Sequence, residues 1–304
     1  MIYFHGNGEV TSKACLRSEI TAIPNLRDMF DCAPISQLIV MEYRGYGPNT
    51  GSSPSISSTL TDAEDLFHAL QFPPERVIVF GRSIGSIPAV HLAGCHPNIA
   101  GLIIESGMAD PVHFVHSRVS SLEKDSSTQP SRTKMMRDSG VEDQLGNHIR
   151  IVADFPGNML ILHTADDETF SFDEHALRLF RRSCGIADES QDLVAESRLQ
   201  TADDAPGGLR VVRRGDRVKM LCRFDYGGHN WIWPLNWRAY SSCVQAIIAA
   251  AMGAPEGSEG LCERRVDAGW WEGKSQTIEA CLRVDRSPGS SQAALHDKVR
   301  CSVS

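Results

Sequence analysis

Residues 77–86 read VIVFGRSIGS, and this stretch decides the fold. Val77 to Phe80 are apolar and β-branched or aromatic, the composition of a short buried strand. Gly81, Arg82, Ser83, Ile84 and Gly85 follow. Residues 86–95, SIPAVHLAGC, then read as a helix, with Pro88 in the first turn where its missing N–H costs little. A serine between two glycines at a strand-to-helix junction sits on a strained turn for which only glycine leaves room at the flanking positions. The turn lifts the hydroxyl out of the sheet and sets it beside the unpaired N–H groups and positive dipole end of the helix. That is where a nucleophile belongs. The pentapeptide alone is a weak signal; the strand before it and the helix after it give it weight.

A serine needs a base to take its proton, and the base needs an acid to orient it. Of the 11 histidines, His229 stands out because it follows a strand-like segment, VKMLCRFDY at 218–226, and two glycines. A loop at that position lets an imidazole swing over the strand ends toward Ser83. With the order Ser, acid, His, the acid lies between them. Residues 159–169, MLILHTADDET, offer a buried strand and then a turn carrying Asp166, Asp167 and Glu168. One of these carboxylates is the expected partner of His229. Glu105, at the end of a strand-like run, is a further carboxylate to weigh, whereas Asp225 is too near His229 in sequence to orient it and is expected to face solvent. The oxyanion that forms needs backbone N–H donors. IYFHGNG at 2–8 supplies a strand end and a glycine-bearing loop that turns the N–H of Asn7 toward the site, with the N–H of Ile84 as second donor. His5 is expected to be structural, bonded to loop backbone.

Taken together, FHGNGE (4–9), EYRGYG (42–47), GRSIGS (81–86), GLIIESGMAD (101–110), MLILHTADDE (159–168) and YGGHN (226–230) resemble the α/β-hydrolase superfamily. The likeness is greatest to the branch holding serine-aminopeptidase-like hydrolases, Bem46 proteins and depalmitoylases, and it runs over residues 1 to about 250. The resemblance implies an α/β fold with a mostly parallel doubly wound sheet, and it implies Ser83 as nucleophile, Asp167 as acid and His229 as base. Its acid loop, HGxxD, counted from His163, selects Asp167 over Asp166, with Thr164 in place of the glycine. It further implies hydrolysis of an ester or thioester, with amides as a further option, in a small acyl substrate or an acylated protein. No cofactor and no metal are required.

Composition fits such an enzyme. At 304 residues, 41% hydrophobic and 22% charged, the chain can build one large core, and a net charge of −8 argues against nucleic acid as a partner. No apolar run reaches the 18 or so residues that span a bilayer, and no basic-then-apolar leader opens the chain, so the expected location is cytoplasmic. Nine scattered cysteines without a CxxC read as reduced thiols rather than a disulfide or zinc framework.

Strands and helices alternate along residues 1–253, the expected hydrolase domain. Strands are expected at 2–4, 37–42, 77–80, 101–105, 159–163 and 218–224, and helices at 14–31, 62–71, 86–95 and 235–252. The second helix is to be opened by a capping box of Thr61 and Glu64. Residues 108–150 fill the place of a lid; their His113 and His116 form an HxxH pair lacking a third metal ligand. Residues 185–216 read as a surface insertion, and 254–304 as a disordered tail. Trp231, Trp233 and Trp237 serve to pack the closing helix or to wall an acyl pocket, the former being preferred. The family carries two further strands before the FHGNG strand, so the sheet is expected to lack its first two strands and to leave the apolar QLIVME, 37–42, as an uncovered edge. The alternative reading is a hydrolase-fold binding protein without turnover, or a fragment from a truncated gene model.

Overall fold

Near-continuous apolar runs in the parallel strands place apolar side chains on both faces of one sheet, as a parallel sheet covered by helices on both sides requires. The structure, a computed structural model, describes residues 1–7, 9, 35–49, 54–114, 145, 148–186, 197–198 and 207–253. Its sheet is built from β1 (Ile2–Phe4), β2 (Ile39–Met41), β3 (Ile78–Arg82), β4 (Gly101–Glu105), β5 (Asn158–Thr164), β6 (Ser197–Arg198), β7 (Gly207–Arg214) and β8 (Arg217–Phe224). The spatial order is β2-β1-β3-β4-β5-β8-β7-β6. The six strands from β2 to β8 run parallel, and β7 and β6 add antiparallel pairs at one edge.

Among the described residues five helices flank the sheet: α1 (Ile56–Leu70), α2 (Ser86–Cys95), α3 (His148–Asp154), α4 (Arg178–Ser183) and α5 (Ile232–Ala251). Val79, Leu102 and Ile161 pack with α1 to α4 on one face, and Ile78, Phe80, Ile103 and Leu160 pack with α5 on the other. Parallel strands all end on one side, so the loops after β1, β3, β5 and β8 gather there. That side is where a site can be built from segments distant in sequence.

Several expectations change. Helix α1 begins at Ile56, capped by Ser55, whose Oγ accepts from the Ser58 N–H at 3.0 Å. Thr61 therefore lies inside the helix, its hydroxyl donating to the Ser57 carbonyl, and there is no capping box with Glu64. Residues 185–216 are not only a surface excursion: 207–214 forms β7, paired with β8 along its whole length. The strand expected at the sheet edge is there as β2, although its faces are covered: Ile39, Val40 and Met41 are all buried, Val40 on one face and the other two on the opposite one. Among the described residues no strand pairs with the outer edge of β2. Helix α5 starts three residues earlier than expected and kinks at Asn236 (φ −130°, ψ 21°), where the Asn236 side chain donates to the Tyr226 and Ile232 carbonyls. The helix at 14–31, most of the lid, His116 and the tail at 254–304 lie outside the described residues. No helix among the described residues is long and apolar enough to cross a membrane.

Candidate active site

Strand β3 ends at Arg82, and the next residue, Ser83, adopts φ +53°. A left-handed conformation at a non-glycine residue is uncommon and costs roughly 1–3 kcal/mol, so surrounding structure must hold it. The flanking glycines explain how. A Cβ on Gly81 would overlap the Gly85 carbonyl, and a Cβ on Gly85 would overlap the Phe4 carbonyl at the end of β1. The chain thus folds back on itself and against β1, and Ser86 fastens the turn by donating from Oγ to the Ser83 carbonyl at 2.7 Å. Ile84 lies in the single 3-10 turn Ser83–Gly85, directly ahead of α2.

Two loops converge on Ser83. Its Oγ stands 2.9 Å from His229 Nε2, and His229 Nδ1 stands 3.1 and 3.0 Å from the two Asp167 carboxylate oxygens. All three side chains are nearly buried, with residue exposures of 7–8%. The three successive carboxylates after β5 have separate jobs. Asp166 accepts from the Gly227 and Gly228 amides, Glu168 accepts from the His229 amide, and Asp167 faces the imidazole. Gly227 and Gly228 take positive φ (139° and 51°), which lets the loop bend over the sheet end.

Asp167 is itself held. Its Oδ1 accepts from the Thr169 and Phe170 amides at 2.8 Å each, and His163 Nε2, bonded to the Phe170 carbonyl at 2.8 Å, lies 3.3 Å from Oδ2. Burial pushes the carboxyl up, but the hydrogen bond from His229, the nearby His163 and the Phe170 amide outweigh it and hold the group below its ordinary value. It is therefore ionised at neutral pH. His163 is kept neutral, its pKa lowered chiefly by burial.

The loop after β1 abuts the elbow, since the Phe4 and His5 carbonyls lie where a Gly85 side chain would. Asn7 is in this loop, its side-chain oxygen accepting from the Tyr46 hydroxyl at 2.7 Å. His5 is structural: buried, it bonds the Gly6 carbonyl at 2.9 Å and Glu42 at 3.0 Å. Glu105 is not near His229 Nδ1; it pairs with Arg82 at 3.2 Å and accepts from the Tyr240 hydroxyl. Asp225 pairs with Arg223. Trp233 is buried edge-on against Tyr240, whereas Trp231, beyond His229, is 44% exposed.

Arg82 is a residue that the sequence reading left without a role. Nearly buried, it pairs with Glu9 and Glu105 and donates to the His229 carbonyl at 3.2 Å and to Asn230 Oδ1 at 3.1 Å. Glu9 in turn accepts from the Gly6 amide at 2.9 Å. One guanidinium thereby ties together the β1 loop, the elbow, the end of β4 and the histidine loop. A buried cation with two carboxylates within reach is satisfied in a way an isolated one is not. The signal that could have found it is an arginine in the elbow of a buried strand, where charge without partners is not tolerated.

No family model matches the chain. Among curated proteins, the alpha/beta hydrolase domain-containing protein 17B of Homo sapiens is 28% identical over 145 residues, 46% of this chain and 43% of that protein. The alpha/beta hydrolase domain-containing protein 17C of Xenopus tropicalis is 38% identical over 69 residues, 21% of this chain and 22% of that one. The matched stretch thus spans less than half the length of these relatives. Among solved structures, a Paleococcus ferrophilus monoacylglycerol lipase aligns with a TM-score of 0.48 at 13% identity, covering 82% of this chain and 93% of that one. The sheet order, the strained serine elbow between β3 and α2, and the similarity to these curated relatives agree: the chain has the α/β-hydrolase fold.

Proposed function

We propose that the protein is a serine hydrolase that cleaves an ester or thioester bond through an acyl-enzyme. The observation that carries this reading is the unbroken line from Ser83 Oγ through His229 to the Asp167 carboxylate, each step within 3.1 Å. In the acylation half, Ser83 Oγ bonds to the substrate carbonyl carbon while its proton passes to His229 Nε2. The carbonyl π electrons move onto oxygen, and the N–H groups of Asn7 and Ile84 are the proposed donors to that charge. Collapse expels the alkoxide or thiolate, which takes the proton from His229. Water then attacks the acyl carbon with His229 again as base, and Ser83 leaves as the free acid is released. Asp167, ionised and doubly bonded to the Nδ1 side, fixes the tautomer and stabilises the imidazolium that forms twice per cycle. The substrate side is read as a small acyl compound or an acylated protein, with ester and thioester preferred to amide because the branch resembled holds such enzymes.

The test is covalent labelling by a fluorophosphonate. Wild-type protein is expected to be labelled stoichiometrically, and Ser83→Ala and His229→Ala to lose the label. Labelling that persists in Ser83→Ala would sink the assignment, and a folded wild type that neither labels nor hydrolyses a nitrophenyl or thioester substrate would favour a binding role for the fold.

A further inference from the structure

We propose that Glu64, His91 and Cys95 form a binding site for a thiophilic divalent cation of the zinc class, bridging α1 and α2. The site is separate from Ser83 and does not rest on the hydrolase reading. His91 and Cys95 are four residues apart on α2 and so project from one face, toward α1 packed alongside. Glu64 meets them from α1. Cys95 Sγ stands 3.7 Å from His91 Nε2 and 3.9 Å from Glu64 Oε1, and the two remaining atoms are 2.5 Å apart.

Those separations suit one ion. Around tetrahedral zinc, bonds of about 2.3 Å to sulfur and about 2.0–2.2 Å to nitrogen or oxygen set sulfur-to-ligand distances of about 3.6 Å. The histidine and carboxylate, now sharing a hydrogen bond, would separate by roughly 0.9 Å to hold the metal between them. Glu64, 40% exposed at its side chain, has the freedom to make that shift. A fourth position then falls to water.

A surface Glu–His pair would account for two of these groups but not for the thiol beside them. Burial, with Glu64 next to it, holds the Cys95 thiol above its ordinary pKa, so the metal-free residue carries its proton; a bound dication reverses that preference, and the proton leaves to solvent. The groove continues with more imidazole. His68, one turn beyond Glu64 on α1, has its ring 5.5 Å from that of His96, whose Nε2 is enclosed without a hydrogen-bond partner. Two pairs at four-residue spacing, Glu64 with His68 and His91 with Cys95, thus line one interhelical groove. Sequence spacing hides it, because 27 residues separate Glu64 from His91 and no CxxC marks it.

Titration of the full chain with Co²⁺ as a spectroscopic stand-in tests this. One equivalent is expected to give tetrahedral visible bands and a sulfur-to-cobalt charge-transfer band, both displaced by Zn²⁺. Cys95→Ser, which leaves the other cysteines in place, is expected to lose the charge-transfer band, and His91→Gln and Glu64→Gln to weaken binding by at least the ~10-fold that loss of even a ligand's supporting partner costs. Zn²⁺ should raise the melting temperature of wild type more than that of any of the three variants, since an ion that bridges two helices binds the folded state. Fluorophosphonate labelling of Ser83, at the far end of α2, should be unchanged in all of them. A charge-transfer band that survives in Cys95→Ser, or wild-type protein that binds no Co²⁺ at millimolar concentration, overturns the proposal.

Discussion

Asp167 and Asp166 are adjacent and chemically identical, and only their partners separate them. Asp167 faces both the His229 ring and the Phe170 amide, whereas Asp166 bonds the amides of Gly227 and Gly228. Removing the Asp167 charge lets the imidazole take the wrong tautomer, so Asp167→Asn is expected to lower kcat by on the order of 10⁴ with little change in folding. Asp166→Asn removes a charge without touching the ring, and its kcat is expected to stay within about tenfold of wild type, since the amide oxygen that replaces the carboxylate can still accept from the Gly227 and Gly228 N–H groups. Steady-state kinetics on a nitrophenyl ester separates the two. Near-normal turnover in Asp167→Asn with collapse in Asp166→Asn would reverse the assignment. The choice between them was open to sequence reasoning only through the count from His163, and the structure supplies a physical meaning for that histidine: it bonds the Phe170 carbonyl and lies against the Asp167 carboxylate.

At the scale of elements, the elbow exists because β1, β3 and α2 meet with no room for a side chain at Gly85. Gly85→Ala forces its methyl into the Phe4 carbonyl, separating the β1 loop from the serine. Gly101, in β4, would carry a Cβ at ordinary contact distance, 3.5 Å from the Ala251 side chain. Gly85→Ala is therefore expected to lower stability by about 1–3 kcal/mol or more and to abolish probe labelling, while Gly101→Ala should remain within about 1 kcal/mol of wild type by denaturant melt. Equal losses in both would show that the close approach at Gly85 is not what holds the elbow. This junction was legible in the sequence because its marks are local, a short apolar run, two glycines and a helix, whereas the approach of Phe4 to Gly85 that holds it was not. The start of α1 was not, since Ser57, Ser58 and Thr59 have the composition of a loop and become helical only once Ser55 caps them. Strand β7 was hidden for a related reason. Its GGLRVVRR carries charge on a strand near the sheet edge with a partly exposed face, so polarity there concealed a pairing that β8 supplies.

Across the whole molecule, contacts between distant segments decide stability, and these are least visible in a sequence. Glu9 and Arg82 are 73 residues apart, and Arg82 and Glu105 are 23 apart, yet they form one buried ionic group. Arg82→Met leaves the buried Glu105 and the part-buried Glu9 without their cation and is expected to cost about 3–5 kcal/mol, read as a fall in the denaturation midpoint. A second long-range consequence concerns pH. Burial holds His148, at the start of α3, to a pKa of about 4, against 6.5 for an ordinary imidazole. In the folded protein it stays neutral down to about pH 4, whereas the unfolded chain takes up a proton as pH falls through 6.5. The unfolded state therefore binds more protons in that window, and stability, complete above pH 6.5, declines as pH falls, by about 3 kcal/mol at pH 4 from this residue. His163 and His175, also lowered by burial, act with the same sign. Glu105, raised by burial above 4.5, acts with the opposite one, because the folded state takes its proton first as pH falls. Asp167, held below 3.8, loses its contribution only at more acidic pH. Comparing each protein with itself isolates the His148 share: urea melts at pH 7.5 and pH 5 should show wild type losing about 2 kcal/mol more than His148→Gln over that interval. Equal losses in the two proteins would mean that His148 takes up its proton in the folded state as readily as in the unfolded one, and that burial does not hold it neutral.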